Sequence, residues 1–151
     1  MRKTELLELL LSTKKETLHY FDCSDADLQK SYGRGKWNVR QILHHLTDTE
    51  FLFLGRLKKI IAEPRQVIWA FNQDEWNSAF NYLNEPLKNK KIFYSLCRDM
   101  NYHLIDAYHD AYSQKEFIHS ETGLRTLKME FEKVAMHNQT HIEQIKTALK
   151  Q

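Results

Sequence analysis

The sequence predicts an all-α protein: a four-helix bundle with a long crossover that carries a short extra helix. Three observations support this. Four long stretches repeat apolar residues at helical spacing, which marks helices with one buried face. Gly (4) and Pro (2) are scarce, whereas a sandwich, a barrel or a doubly wound sheet needs many turns built from both. The 151 residues suit one domain, residues 1–151, large enough to bury a core without staples.

The first helix is expected from about Thr4 to Phe21, with Leu7, Leu10, Leu11, Leu18 and Phe21 on one face. Asp22-Cys23-Ser24-Asp25 breaks it with turn chemistry. A helical turn around Ala26–Lys30 and a Gly33-Arg34-Gly35 loop follow. The second helix has a readable start: Asn38 accepts from free backbone N–H groups, and Gln41 reaches back as in a capping box. Trp37 precedes the cap and is placed to pack on the first turn. The apolar stripe runs through Val39, Ile42, Leu43, Leu46, Phe53, Leu54, Leu57, Ile60 and Ile61, and Pro64 stops it.

Residues 65–83 hold Trp69, Phe71, Trp76, Phe80 and Tyr82, an aromatic density that suits a crossover packed across a bundle end. A short helix is expected from about Asp74 to Tyr82. The third long helix starts near Pro86, a residue suited to the first helical position. It continues along Phe93, Leu96, Met100, Leu104, Ala107, Tyr108 and Ala111 to about Tyr112. The fourth follows Thr122-Gly123, with Thr126 as its cap and Leu127, Phe131, Val134, Ala135, Ile142, Ile145 and Leu149 on its buried face. Connections of about 16 and about 20 residues leave room for crossovers, so up-down-up-down order is not required.

Charge excludes more than it suggests. There are 22 basic and 20 acidic residues, a net +2, too even to announce a nucleic-acid partner. The runs Arg56-Leu57-Lys58-Lys59 and Lys88-Asn89-Lys90-Lys91 read as solvated helix faces or ends. Cys23 and Cys97 lie far apart without CxxC spacing, so no disulfide framework is indicated and a reducing cytoplasm is the default. The leucines after Met1 are broken by Glu8 and stop at Ser12, which does not read as a signal peptide. No run of 18 apolar residues occurs to span a membrane.

Eight histidines stand at 19, 44, 45, 103, 109, 119, 137 and 141. His137 and His141 are four apart, so both rings lie on one helix face and can reach one metal ion. Chance alone gives about 0.4 such pairs in a chain of this composition, and the bland alternative is two hydrogen-bonded core histidines. The run His137-Asn138-Gln139-Thr140-His141 lacks the Glu of HExxH, which excludes that metalloprotease reading. A catalytic site wants three protein ligands and an open position. The helical wheel leaves His44, His45 and His103 open as third donors: His45 sits near the edge marked by Ile42 and Thr49, and His44 falls further round. His19, His109 and His119 read as exposed or helix-end residues.

Two segments carry a resemblance. Trp37-Asn38-Val39-Arg40-Gln41-Ile42-Leu43-His44-His45-Leu46-Thr47-Asp48-Thr49-Glu50 and Val134-Ala135-Met136-His137-Asn138-Gln139-Thr140-His141-Ile142-Glu143-Gln144-Ile145 resemble the DinB-like family of small metal-binding four-helix bundles. In that family a Trp and a capping residue open the second helix, a His-Leu step carries one ligand, and a His-x-x-x-His on the last helix carries two. The resemblance implies His45, His137 and His141 as metal ligands. Asn38 departs from the usual Ser or Thr but keeps the capping chemistry, and neither cysteine matches a ligand position. The resemblance also implies a homodimer and a divalent transition metal, commonly nickel or zinc, with manganese and iron as further candidates.

Two function classes follow. A three-histidine metal with an open position supports hydrolysis of a small molecule, or holds a thiolate as in the bacterial thiol S-transferases that such bundles are similar to. Asp48 and Glu50 are candidate acid-base or supporting groups, with exposed i,i+4 partners as the favoured reading. Trp69, Phe71 and Trp76 could wall a pocket or simply pack. The alternative class is a non-catalytic metal-binding or dimeric interaction bundle. Nucleic-acid and membrane partners have no support.

Overall fold

The computed structural model describes residues 1–63 and 65–151. In chain order the elements are α1 (Lys3–Tyr20), α2 (Asp25–Leu28), α3 (Val39–Ala62), β1 (Val67–Ile68), α4 (Gln73–Ala79), α5 (Lys90–Tyr112), β2 (Glu116–His119), β3 (Gly123–Thr126) and α6 (Leu127–Leu149). The four long helices form the bundle. The stop expected at Pro64 lies outside the described residues.

α1 packs against α5 and α6, and α3 packs against the same two. The consecutive helices α1 and α3 are therefore diagonal, and the long connections cross the bundle ends. This order makes α3 and α6 neighbours. They run antiparallel, since His45 meets His137 and His141 at one end while Arg56 approaches Glu130 at the other.

Local chemistry fixes the start of α3. Asn38 Oδ1 accepts from the Gln41 N–H and Gln41 Oε1 accepts from the Asn38 N–H, each at 2.9 Å, the expected capping box. Ser24 caps α2. Asn72 caps α4, which covers Gln73–Ala79 and ends before Tyr82. α5 begins at Lys90 rather than near Pro86, because residues up to Asn89 are taken up in turns. Thr126 precedes α6 as expected, but its side chain makes no cap.

Two helices turn a different face inward from the one their apolar residues suggest. On α1 the buried residues are Leu6, Leu10, Thr13, Thr17 and Tyr20, and Leu11 is exposed. On α5 they are Tyr94, Cys97, Arg98, Asn101, Leu104 and Ile105, while Phe93, Leu96 and Met100 are exposed. The reason is a polar layer. The core falls into two apolar clusters, one around Leu6, Leu10, Phe53, Leu57, Phe131 and Val134, the other around Val39, Ile42, Leu46, Tyr94, Ile142 and Ile145. Between them every long helix contributes buried polar side chains: Thr13 and Thr17, His45 and Glu50, Arg98 and Asn101, Asn138 and His141. An apolar count cannot find a face that carries an arginine.

A small sheet was not expected. β1 pairs parallel with β2, and β2 pairs antiparallel with β3, in the order β1-β2-β3. Phe117 and His119 point inward while Glu116 and Ile118 point out, the period of two of a half-buried strand, here only four residues long. Gly123 has a φ of 73°, a left-handed conformation that glycine adopts without steric cost and that lets the hairpin close. The sheet ties the crossover down: Ile118 N donates to Gln66 O, Ser120 N to Ile68 O, and Ala70 N to Ser120 Oγ. It thereby brings the aromatic crossover and His119 against the α3–α6 seam.

Candidate metal centre

The polar layer opens at the α3–α6 seam. α3 supplies His45, and α6 supplies His137 and His141 one turn apart. One ring nitrogen from each lies within 4.8 Å of the other two. His45 Nε2 stands 3.3 Å from His137 Nε2. The His45 and His141 ring centroids are 4.7 Å apart, and those of His137 and His141 4.6 Å apart. His45 and His141 are buried and His137 is partly exposed.

The surroundings set the ionisation and the orientation of these rings. Burial, and then the proximity of His141, pushes the His45 imidazole down to about 3. Burial and the two neighbouring rings hold His137 well below the usual range. Burial also lowers His141, against an opposing hydrogen bond to Gln144. All three are neutral at physiological pH, so each keeps a nitrogen lone pair. His141 Nδ1 is 2.8 Å from Gln144 Oε1; the amide oxygen accepts, so Nδ1 carries the proton and Nε2 is free to coordinate. Trp37 and Phe71 pack on the His45 ring and Phe53 stands edge-on to His137. His137 Nδ1 is buried without a hydrogen-bond partner among the described residues. Three neutral imidazoles facing one point fit a borderline transition metal such as zinc or nickel.

Two hollows border the trio. One of about 310 Å³ reaches His141 past Trp37, Gln144 and Gln73. Another of about 250 Å³ reaches His45 and His137 and extends along the seam to Arg56, His119 and Lys133. A larger hollow of about 550 Å³ between Trp37, Asn77 and Tyr82 touches none of the three histidines, so size alone does not mark the site.

A family model described as the DinB superfamily matches residues 9–145. The chain belongs to the DinB superfamily. Among its relatives, "Putative metal-dependent hydrolase OB0413" of Oceanobacillus iheyensis is 27% identical over 135 residues, covering 83% of this chain and 72% of that one. "Putative metal-dependent hydrolase BH0277" of Halalkalibacterium halodurans is 23% identical over 141 residues, covering 92% and 82%. A solved structure, "YfiT from Bacillus subtilis is a probable metal-dependent hydrolase with an unusual four-helix bundle topology", superposes with a TM-score of 0.85 at 18% identity, covering 99% of this chain and 86% of that one. At that identity the likeness establishes the shared fold.

Other candidate residues of this DinB-superfamily chain lie apart from the trio. His44 is fully buried, stacks on Tyr82 at 4.8 Å, and places Nε2 3.0 Å from the Glu85 carbonyl oxygen. His103 is exposed, as is His19. His109 is half-buried against Phe131 and Asp110.

The expected exposure of Asp48 and Glu50 is corrected. Asp48 is half-buried and pairs with Lys90 at 3.4 Å. Glu50 is fully buried and accepts from Arg98 Nη1 at 2.6 Å and from Asn101 Nδ2 at 2.7 Å. Arg98 also donates to the Val134 carbonyl and to Thr13 Oγ1. Both Glu50 carboxylate oxygens are thus taken, one by Arg98 and one by Asn101.

His119 is a correction as well: it is buried and borders the trio's hollow. Arg56, read as a solvated helix residue, is buried too. Its Nη2 donates to the Trp69 carbonyl at 2.7 Å and its Nη1 lies 3.8 Å from Glu130. Of the crossover aromatics, Trp69 is 75% exposed, and Phe71 walls the hollow.

Proposed function

We propose that the chain is a metal-dependent hydrolase acting on a small molecule, with His45, His137 and His141 as the ligands of one divalent transition metal. The observation that carries this reading is the meeting of three neutral imidazole nitrogens within 4.8 Å, bordered by two hollows. The names borne by the relatives support the reaction class.

When bound, such a metal acts as a Lewis acid and lowers the pKa of water toward neutrality. The chain's own residues hold and shield the site. Gln144 fixes the His141 tautomer, Trp37 and Phe71 restrict rotation of His45, and Phe53 limits access of water beside His137. The donor set accommodates nickel, zinc, manganese or iron, and availability decides among them.

A small cytoplasmic enzyme acting as a homodimer completes the reading. Exposed Phe51 and Phe93, in contact at 5.7 Å on adjoining faces of α3 and α5, support self-association. Sedimentation equilibrium tests it: a Phe51→Ser, Phe93→Ser variant should shift toward the monomer.

The function is tested by assaying ester and amide hydrolysis, and thiol consumption with electrophiles, with nickel, zinc or manganese added or chelated. Metal-dependent hydrolysis that is lost in His45→Ala and His137→Ala supports the hydrolase. Metal-dependent thiol consumption instead moves the assignment to thiol S-transfer. Metal bound without turnover of any class moves it to a non-catalytic bundle.

A further inference from the structure

The hollow that reaches His45 and His137 does not end at them. α3 and α6 continue along it in step: α3 with Thr49, Phe53 and Arg56, α6 with Lys133. The positive charges at the far end differ in what meets them. Arg56 is hydrogen-bonded to the Trp69 carbonyl and faces the buried Glu130. No carboxylate oxygen of the described residues lies within 4 Å of Lys133 Nζ, which stands 5.9 Å from the Phe53 ring centroid; Glu121 is the remaining acidic side chain lining the hollow. Beside it, His119 Nδ1 accepts from the Glu121 backbone N–H at 3.3 Å. That hydrogen bond puts the proton of the neutral ring on Nε2, so His119 is an N–H donor. An ammonium that no carboxylate of the described residues contacts directly, with Glu130 and Glu121 acting on it from further off, and an imidazole donor thus share a hollow of about 250 Å³ with two of the three clustered histidines.

We propose that Lys133 and His119 form a subsite for the carboxylate of a small anionic substrate whose reacting carbonyl lies at the histidine trio. This names the substrate class of the proposed hydrolase and rests on that reading for the reacting end alone. Lys133 precedes His137 by one helical turn, a rise of about 6 Å. The substrate's carboxylate and reacting carbonyl are then separated by a spacer of about four bonds. Phe53 and Phe71 supply the apolar walls for that spacer.

Two titrations test the subsite and separate it from the metal reading. In the first, the ¹⁵N-labelled metal-free protein is titrated with butyrate and with its neutral counterpart butyramide, following the amide signals of residues around the hollow. Butyrate is expected to bind about tenfold more tightly, the scale of one charged hydrogen bond. Lys133→Gln should abolish the preference, and Lys133→Arg should retain it. Equal binding of the two probes to the wild type, or a preference unchanged in Lys133→Gln, overturns the subsite. The spectra themselves report whether each variant is folded.

In the second, calorimetry compares glutaric acid monohydroxamate with pentanohydroxamate on the nickel-loaded protein. Tighter binding of the carboxylate-bearing probe, lost in Lys133→Gln, supports the substrate class. Nickel-dependent binding of both probes without a carboxylate preference overturns the subsite and leaves the metal reading standing. A butyrate preference in the first titration with no nickel dependence in the second keeps the anion subsite and overturns the metal reading.

Discussion

Two clusters in the same polar layer solve the same problem in opposite ways. Glu50, Arg98, Asn101 and Thr13 lie in the bundle interior and hydrogen-bond one another, with the Val134 carbonyl taking a further Arg98 proton. His45, His137 and His141 lie next door on the α3–α6 seam, and their nearest polar partners are largely each other's ring nitrogens. Burying polar groups is costly unless they are paired. The charged groups of the first cluster are paired internally and hold the four helices in register. The second keeps three lone pairs aimed at one point beside a hollow. Buried polarity therefore marks a functional site only where the groups are not already spent on one another.

Breaking the first cluster should give the largest effect on folding. Arg98→Met leaves the fully buried Glu50 without its counter-ion, and such losses cost about 3–5 kcal/mol. Urea unfolding should show that drop, and the double variant Glu50→Gln, Arg98→Met should recover much of it. The histidine cluster should behave in the opposite sense. Saturating nickel or zinc should stabilise the wild type, by about 2.7 kcal/mol at a hundredfold excess over Kd. His45→Ala or His141→Ala should abolish that gain. A thermal melt with and without metal checks both.

The cap that sets the start of α3, and with it the height of His45, is worth less. Asn38→Ala should cost about 1 kcal/mol by urea unfolding. The smallest effect concerns the cysteines. Burial pushes the Cys97 thiol, on the inward face of α5, up to about 11; burial and then Asp27 and Asp22 also raise Cys23, but that thiol is half-buried near the end of α1 and within a reagent's reach. Thiolate is the reactive form. A disulfide reagent at pH 8 should therefore label Cys23 first and reach Cys97 only on unfolding or at much higher pH.

Sequence and structure agree most where the inward face of a helix carries a long apolar stripe. The stripes of α3 and α6 were legible, and so was the Asn38–Gln41 box, because capping needs two residue types at a fixed spacing. The His137–His141 pair was legible for the same reason. The third member was not: His44 and His45 point about 100° apart on the wheel and neither sits at the centre of the apolar stripe, so the choice rested on the His45-Leu46 step of a family resemblance. Arg98 and Asn101 hid the inward face of α5, since their burial depends on partners 48 and 51 residues away. The hairpin was missed because alternation over four residues is too short to stand out. With it went His119, whose place at the hollow depends on pairing with β1. A signal was available in the inward alternation of Phe117 and His119 ahead of Gly123.

Metal stoichiometry tests the central claim most directly. Wild type, His45→Ala, His137→Ala and His141→Ala are purified without a histidine tag, equilibrated with nickel or zinc, desalted and measured by mass spectrometry of the metal. The account predicts about one ion per wild-type chain and a fall to background in each variant while the fold, followed by circular dichroism, persists. Equal metal in wild type and variants, or none in the wild type, would contradict it.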